Sequence, residues 1–263
     1  RSWIVHVFLR QIDMNQTMRI TMVLGLTWAI MAGVVSAQAP TPNNRALAQE
    51  SGQFFEVTVT NLTQGQRFTP ILVATHKKGL KLFELGKVAS LELETLAEDG
   101  DTAPLTALLR GMPEVLDVTD SGSLLPMGLL APGGSVTLSV TTRGPFDHIS
   151  VAAMLIPTND AFFAVNGVEG PEDNKVKSLV SPAYDAGTER NDEICRSGDP
   201  KGSIPGPDCM TPPPSGLGTA ENFVVHIHSG IHGVGGGVPT SNLNPATRDW
   251  RNPVAKITIR RVH

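Results

Sequence analysis

The chain is poor in several residue types on which particular protein classes depend. Among its 263 residues there are one tyrosine and two cysteines, and aromatic residues make up only 5%. Acidic residues (25) outnumber basic residues (21), which gives a formal net charge of −4. A nucleic-acid-binding domain needs a basic face, so this balance argues against one. Hydrophobic residues still make up 40% of the chain, which is enough for a substantial core.

Sequence signatures of several enzyme classes are also missing. The chain contains no Gly-x-Ser-x-Gly nucleophile elbow, no His-Glu-x-x-His zinc motif and no Gly-x-x-x-x-Gly-Lys phosphate loop. Two classes of function remain, a non-enzymatic binding protein and an enzyme that uses metal-bound histidines.

A hydrophobic segment near the start predicts export. Arg19 precedes the apolar run "ITMVLGLTWAIMAGVV", which ends in small residues before Gln38. This order is typical of a secretory signal peptide, whereas a membrane anchor, the alternative, usually needs about 20 apolar residues. We therefore predict a signal peptide at 18–37 and a secreted or periplasmic protein. Residues 1–17 are interpreted as upstream read-through.

The two cysteines, Cys195 and Cys209, follow this segment. In an oxidising compartment such a pair more often forms a disulfide than a metal or redox site, which is the alternative. Closing a loop of about 15 residues would stabilise the fold by roughly 3 kcal/mol. Removal of residues 1–37 would leave 18 basic and 24 acidic residues, a net charge of −6.

Alternating apolar and polar residues predict a mainly β protein. In "FFEVTVTNL", Phe55, Val57 and Val59 alternate with polar residues, as in a half-buried strand. Further strands are predicted at 68–76, 133–142, 148–157, 221–230 and 254–262. Two short helices are predicted between 89 and 111, and we expect them to cover an edge or end of a sheet. The pattern favours an antiparallel β-sandwich with a short helical insertion.

Polar residues at 38–52 predict a disordered lead-in to this domain, and the segment 181–220 is predicted to be mainly loop.

Carboxylates occur where loops are predicted. Asp160 follows the strand-like "LIPTN", and the later loop carries Asp185, Glu189, Asp192 and Glu193. Such groups repel one another unless water or a cation neutralises them. Calcium binds six to eight oxygen ligands on flexible loops, so a calcium site and a solvated acidic loop are both compatible with this spacing.

Four segments in the same order resemble the spondin N-terminal domain of F-spondin, mindin and exported bacterial proteins. They read "LIPTNDAFFAVNG", "YDAGTERNDEIC", "HSGIHGVG" and "DWRNPVAKITI". The resemblance covers nearly all of the chain after residue 52 and implies one β-sandwich domain at 53–263, similar to calcium-dependent phospholipid-binding domains. It implies a calcium ion near one end, with Asp160 and Asp185 matching ligands of the family. Glu189 stands where animal members have aspartate, and Asp192 or Glu193 could complete the site instead.

Histidines form a second group. If residues 223–228 are extended, His226 and His228 lie on one face, where they could bind zinc or copper together with His232. Alternatively, these histidines form hydrogen bonds within a glycine-rich loop, which the resemblance favours.

We therefore expect an exported, calcium-binding, non-enzymatic protein that binds an extracellular or cell-envelope protein or glycan, as in adhesion. The alternative is a zinc or copper enzyme or metal-handling protein that uses the three histidines. Trp250 and Arg251, before the last predicted strand, are expected to form a packed corner rather than a binding hot spot.

Overall fold

The computed structural model of the chain describes residues 52–194, 224–234 and 241–262. The predicted signal peptide and the Cys195–Cys209 disulfide lie outside the described residues and stay predictions. In the part of the chain that is described, no helix combines the length and apolarity needed to cross a membrane.

Strands hold about 40% of the described residues and helices about 15%. The strands are β1 Gln53–Asn61, β2 Arg67–Phe68, β3 Leu72–His76, β4 Val115–Asp120, β5 Ser135–Thr142, β6 His148–Ile156, β7 Ala161–Glu169, β8 Val176–Ser181, β9 Ala183–Asp185, β10 His226–Ile227 and β11 Ala255–Val262. The α-helices are α1 Leu91–Asp99, α2 Ala103–Arg110 and α3 Pro245–Arg248, and two 3₁₀ turns span Gly122–Leu124 and Pro126–Gly128.

The strands form two antiparallel sheets. The first has the order β5-β1-β11-β8, and the second has the order β10-β9-β7-β6-β3-β4, with β2 also paired to β6. Phe55, Val57 and Val59 of β1 are fully buried, while the residues between them face outwards. The aromatic rings of Phe68 and Phe163 meet in the same core, 4.5 Å apart. The prediction of an antiparallel β-sandwich is confirmed.

The helices cover a face of the second sheet, so the expectation that they cover an edge or end was wrong. Leu93 and Leu96 of α1 and Leu105 of α2 pack in a second core with Phe162. All nine residues of β6 are consequently buried, because this strand lies between the two cores. An apolar strand without alternation is the expected sequence for that position.

Two predicted strands are shorter than expected. The segment 68–76 is interrupted at Thr69, where the side-chain oxygen accepts a hydrogen bond from the backbone N–H of Met154, and at Pro70, which has no N–H to donate. In the segment 221–230, of which 224–230 are described, only the two residues of β10 are in a strand. After them, the Gly230 N–H donates to the ring of His228 instead of to a neighbouring strand.

Candidate metal centre

The turn between β6 and β7 places Asp160 directly before the buried strand β7. Ala161, the first residue of β7, pairs with Asp185 at the end of β9, and Asp185 pairs in turn with His226 of β10. Asp160 and Asp185 therefore meet at one end of the second sheet, and both side chains are fully buried. The sequence-based prediction that these two carboxylates lie close together agrees with this geometry.

The two carboxylate oxygens of Asp160 differ in their hydrogen bonds. Its Oδ2 accepts hydrogen bonds from the backbone N–H groups of Thr188 (2.9 Å) and Glu189 (3.1 Å), and from the Thr188 hydroxyl (3.2 Å). Its Oδ1 is buried and has no hydrogen-bond partner among the described residues. Burial and the neighbouring charge of Asp185 raise the pKa of Asp160 to about 8. The site therefore lacks a donor or a positive charge at this oxygen.

Asp185 shapes the loop that follows it. Its Oδ1 accepts from the Gly187 N–H (2.7 Å), and its Oδ2 accepts from the amide of Asn191 (2.6 Å). Gly187 has φ +71°, and a Cβ there would lie 2.4 Å from the carbonyl oxygen of Val224. Only glycine fits this position, which explains the spacing of the Asp-Ala-Gly-Thr segment.

Glu189 and Glu98 complete the acidic surroundings. Glu189 is buried, with 2% of its surface exposed, and its backbone joins it to Asp160 as described above. Glu98, at the buried side of α1, contributes a smaller charge effect that also raises the pKa of Asp160. Sequence analysis missed Glu98; its only signal was a glutamate directly after Ala97 on a helix that covers the core.

The donor set fits calcium better than a softer metal. Carboxylate oxygens dominate, and the unpartnered Asp160 Oδ1 is the kind of atom that a hard cation would bind. Within residues 52–194, 224–234 and 241–262, however, no three His, Cys, Asp or Glu side chains are already arranged to hold a metal ion. Asp160 and Asp185 are brought together, and the role of Glu189 as a third ligand stays a prediction.

Glu193 has a different role, because the chain itself occupies its carboxylate. The backbone N–H groups of His232 (2.6 Å) and Gly233 (2.8 Å) and the hydroxyl of Ser241 (2.5 Å) donate to it. Its own N–H donates to Asn159 at 3.2 Å. Glu193 thus joins the turn before β7 to the histidine-containing loop and to the segment that leads into α3. Asp192 similarly accepts from the Ile194 N–H at 3.1 Å.

The histidines form hydrogen bonds within their loop. The Nδ1 atom of His228 accepts from the Gly230 N–H, and its Nε2 atom donates to Asn191, each at 3.0 Å. Burial lowers the pKa of His228 to about 4, so its ring is neutral at pH 7. The nitrogens of His226 (Nδ1) and His232 (Nε2) lie 3.1 Å from the Val224 carbonyl and 2.8 Å from the Ser229 hydroxyl, respectively. The geometry favours the loop interpretation, although His226 and His228 also approach Asp185 at 3.6 and 3.9 Å.

Comparison with protein families gives one match to this chain. The Spondin_N family model matches residues 58–193, slightly more than half of the 263 residues. The matched range contains Asp160, Asp185 and Glu189 and ends before the histidine-containing loop. Comparison with curated proteins gives no significant match.

Proposed function

Because the chain belongs to the spondin N-terminal domain family, we propose that it is an exported, calcium-binding protein without enzymatic activity that binds a protein or glycan outside the cell or in the cell envelope. Proteins of this family are typically secreted and generally non-enzymatic. The family supports a ligand-binding role, as in adhesion, and this role rests on the proposed export.

The unpartnered Oδ1 of Asp160 is the observation that carries the calcium proposal. A buried carboxylate oxygen without a donor costs about 1–3 kcal/mol, and a second carboxylate beside it adds repulsion when both groups are charged. A divalent cation removes both penalties. Asp160 and Asp185 would supply the first ligands, Glu189 a third, and backbone carbonyls or water the remaining oxygens that calcium requires.

Calcium would act here as a structural ion. Asp160 lies in the turn between β6 and β7, whereas Asp185 ends β9 and Glu189 lies in the loop that follows it. An ion bound by both segments would hold the loop against the sandwich only in the folded state. Binding to the folded state alone stabilises by about 2.7 kcal/mol when free calcium is 100 times the dissociation constant.

Thermal unfolding with and without calcium tests this proposal. After chelator treatment, added calcium should raise the melting temperature by roughly 5–10 °C, since each kcal/mol shifts a domain of this size by about 2–4 °C. Asp185→Asn should reduce that shift, because it removes a ligand charge with little change of shape. Asp173→Asn is the matched control, because Asp173 is exposed and its carboxylate pairs with Arg261 on the surface.

Two results would contradict the calcium proposal. One is a melting temperature that millimolar calcium leaves unchanged. The other is an equal loss of the calcium response in Asp185→Asn and Asp173→Asn, which would indicate a general effect of charge rather than a site.

A further inference from the structure

A surface cleft lies beside the histidine-containing loop, whose Ile231 and His228 contact Asp249 and Trp250 of the cleft. It encloses about 340 Å³, close to the lower limit for small-molecule sites. Its walls include Leu62, Gln64, Pro245, Asp249, Trp250 and Arg251. Leu62, which is 44% exposed, and the half-buried Pro245 provide apolar surface. Gln64, Asp249 and Arg251 provide an amide, a carboxylate and a guanidinium.

The polar groups of this cleft have unused hydrogen-bonding capacity. Gln64 and Arg251 are exposed, and neither side chain makes a hydrogen bond or ion pair with the described residues. Asp249 uses Oδ1 to accept from the Ile231 N–H at 3.0 Å, while its Oδ2 has no such partner in the described part of the chain. Arginine only donates, a carboxylate only accepts, and glutamine does both.

Packing against the histidine-containing loop fixes the position of Trp250 in the cleft wall. The ring of Trp250 packs on His228, with ring centroids 5.1 Å apart, and Trp250 is only 8% exposed. The predicted packed corner is therefore present at Trp250, but the exposed Arg251 beside it belongs to the cleft wall. A wall residue that is fixed in this way loses little entropy on binding, which favours a weakly interacting polar ligand.

We propose that this cleft binds a neutral saccharide. The apolar wall suits the C–H face of a sugar ring, and the polar wall suits hydroxyl groups, which both donate and accept hydrogen bonds. The opposite charges of Asp249 and Arg251 offset each other, so the cleft favours neither a net anion nor a net cation. The proposal names a ligand class for the binding role proposed above and so rests on that role, but it does not require the calcium site.

Saturation-transfer difference NMR on the purified full chain tests the cleft. The probes are the neutral disaccharides maltose, lactose, cellobiose and diacetylchitobiose, each compared with glucuronate and glucosamine. At least one neutral sugar should bind more tightly than both charged sugars. Arg251→Ala and Gln64→Ala should weaken that binding, by about tenfold for the arginine. Arg143→Ala, which removes an exposed arginine from the β5–β6 turn, should leave it unchanged.

A charge variant sharpens the test. Asp249→Asn retains an oxygen for the Ile231 N–H but removes the negative charge, so it should shift the preference towards glucuronate. Absence of saturation transfer from every neutral probe would overturn the proposal, as would equal binding by the Arg251→Ala variant. If calcium still raises the melting temperature in that case, only the saccharide assignment fails. Loss of both responses would instead contradict the proposed function.

Discussion

The space between the two sheets and the carboxylate end of the second sheet are both buried, but they are stabilised in opposite ways. Between the sheets, Phe55, Phe163 and Ile257 pack together with other apolar side chains in one core. Each such side chain stabilises the fold by about 1.5–3 kcal/mol without any outside partner. At the carboxylate end, Asp160 and Asp185 are equally buried, yet they bring together two acidic groups that repel each other when both are charged.

The two regions should therefore respond differently to calcium and to pH. The apolar core is complete within the chain, so its contribution should not depend on calcium and should change little with pH. The carboxylate end carries a buried oxygen with no donor among the described residues and a raised pKa. Its contribution to stability should therefore vary with both calcium and pH.

A substitution in the apolar core should have the largest effect. Ile257 is fully buried in the central strand β11, so Ile257→Ala should lower the free energy of unfolding by about 2–5 kcal/mol. Urea denaturation should give the same loss with calcium and with chelator. Thr258→Ala, at the next residue on the outward face, should cost less than about 0.5 kcal/mol. A loss for Ile257→Ala that disappears in calcium would contradict the separation of the two regions.

Glu193→Gln should have the next largest effect. The carboxylate accepts from two backbone N–H groups and one hydroxyl, whereas a glutamine amide would turn a donor towards one of them. Loss of a charged acceptor costs about 1.5–3 kcal/mol, measured by urea denaturation. The calcium-induced shift in melting temperature should persist, because Glu193 joins segments of the chain. A variant of normal stability without the calcium shift would instead identify Glu193 as a metal ligand.

The stability of calcium-free protein should fall as pH rises from 6.5 to 8. The pKa of Asp160 is raised from 3.8 to about 8, so in this range the folded protein holds a proton that the unfolded chain has lost. Each pH unit then costs up to about 1.4 kcal/mol, or about 2 kcal/mol over the range. The pKa values of His228 and His76 are lowered from 6.5, so these two groups destabilise the fold as pH falls. This effect lies largely below pH 6.5, outside the range of the prediction.

Calcium and Asp160→Asn provide the controls for this pH dependence. Bound calcium should flatten the fall because it stabilises the charged carboxylate, and Asp160→Asn should flatten it because no titrating group remains. Urea denaturation at both pH values measures each case. An equal fall in wild-type protein and in Asp160→Asn would assign the pH dependence to another group.

The sequence predicted those strands of the sandwich whose hydrophobic pattern shows which residues are buried. The alternation in β1 and the uninterrupted apolar run of β6 both specify the burial of each strand, and both strands were predicted within two residues. By contrast, β4 and β8 were not predicted. β8 lies at the edge of its sheet with Val176 and Val180 exposed, so its apolar residues do not mark a buried face.

The candidate site was predictable only in part, for a similar reason. Asp160 and Asp185 could be identified because the segments around them resemble a known family. Glu98 could not, because its place beside Asp160 depends on how α1 packs over the sheet. The pairing of Glu193 with His232 and Gly233 likewise depends on two loops that meet in the fold, which no local sequence pattern records.

His226→Gln should have the smallest effect and bears on the metal-enzyme alternative. His226 is 37% exposed in its side chain, and its Nδ1 atom donates to the Val224 carbonyl, a bond that a glutamine amide can replace. The free energy of unfolding should therefore change by less than about 1 kcal/mol, and the calcium-induced shift should remain, although His226 lies 3.6 Å from Asp185. Metal analysis of the purified protein by mass spectrometry completes the test. Two results together would favour the histidine site over the carboxylates. The wild-type protein would contain stoichiometric zinc or copper that His226→Gln removes. The calcium-induced thermal shift would be lost in His226→Gln but kept in Asp185→Asn.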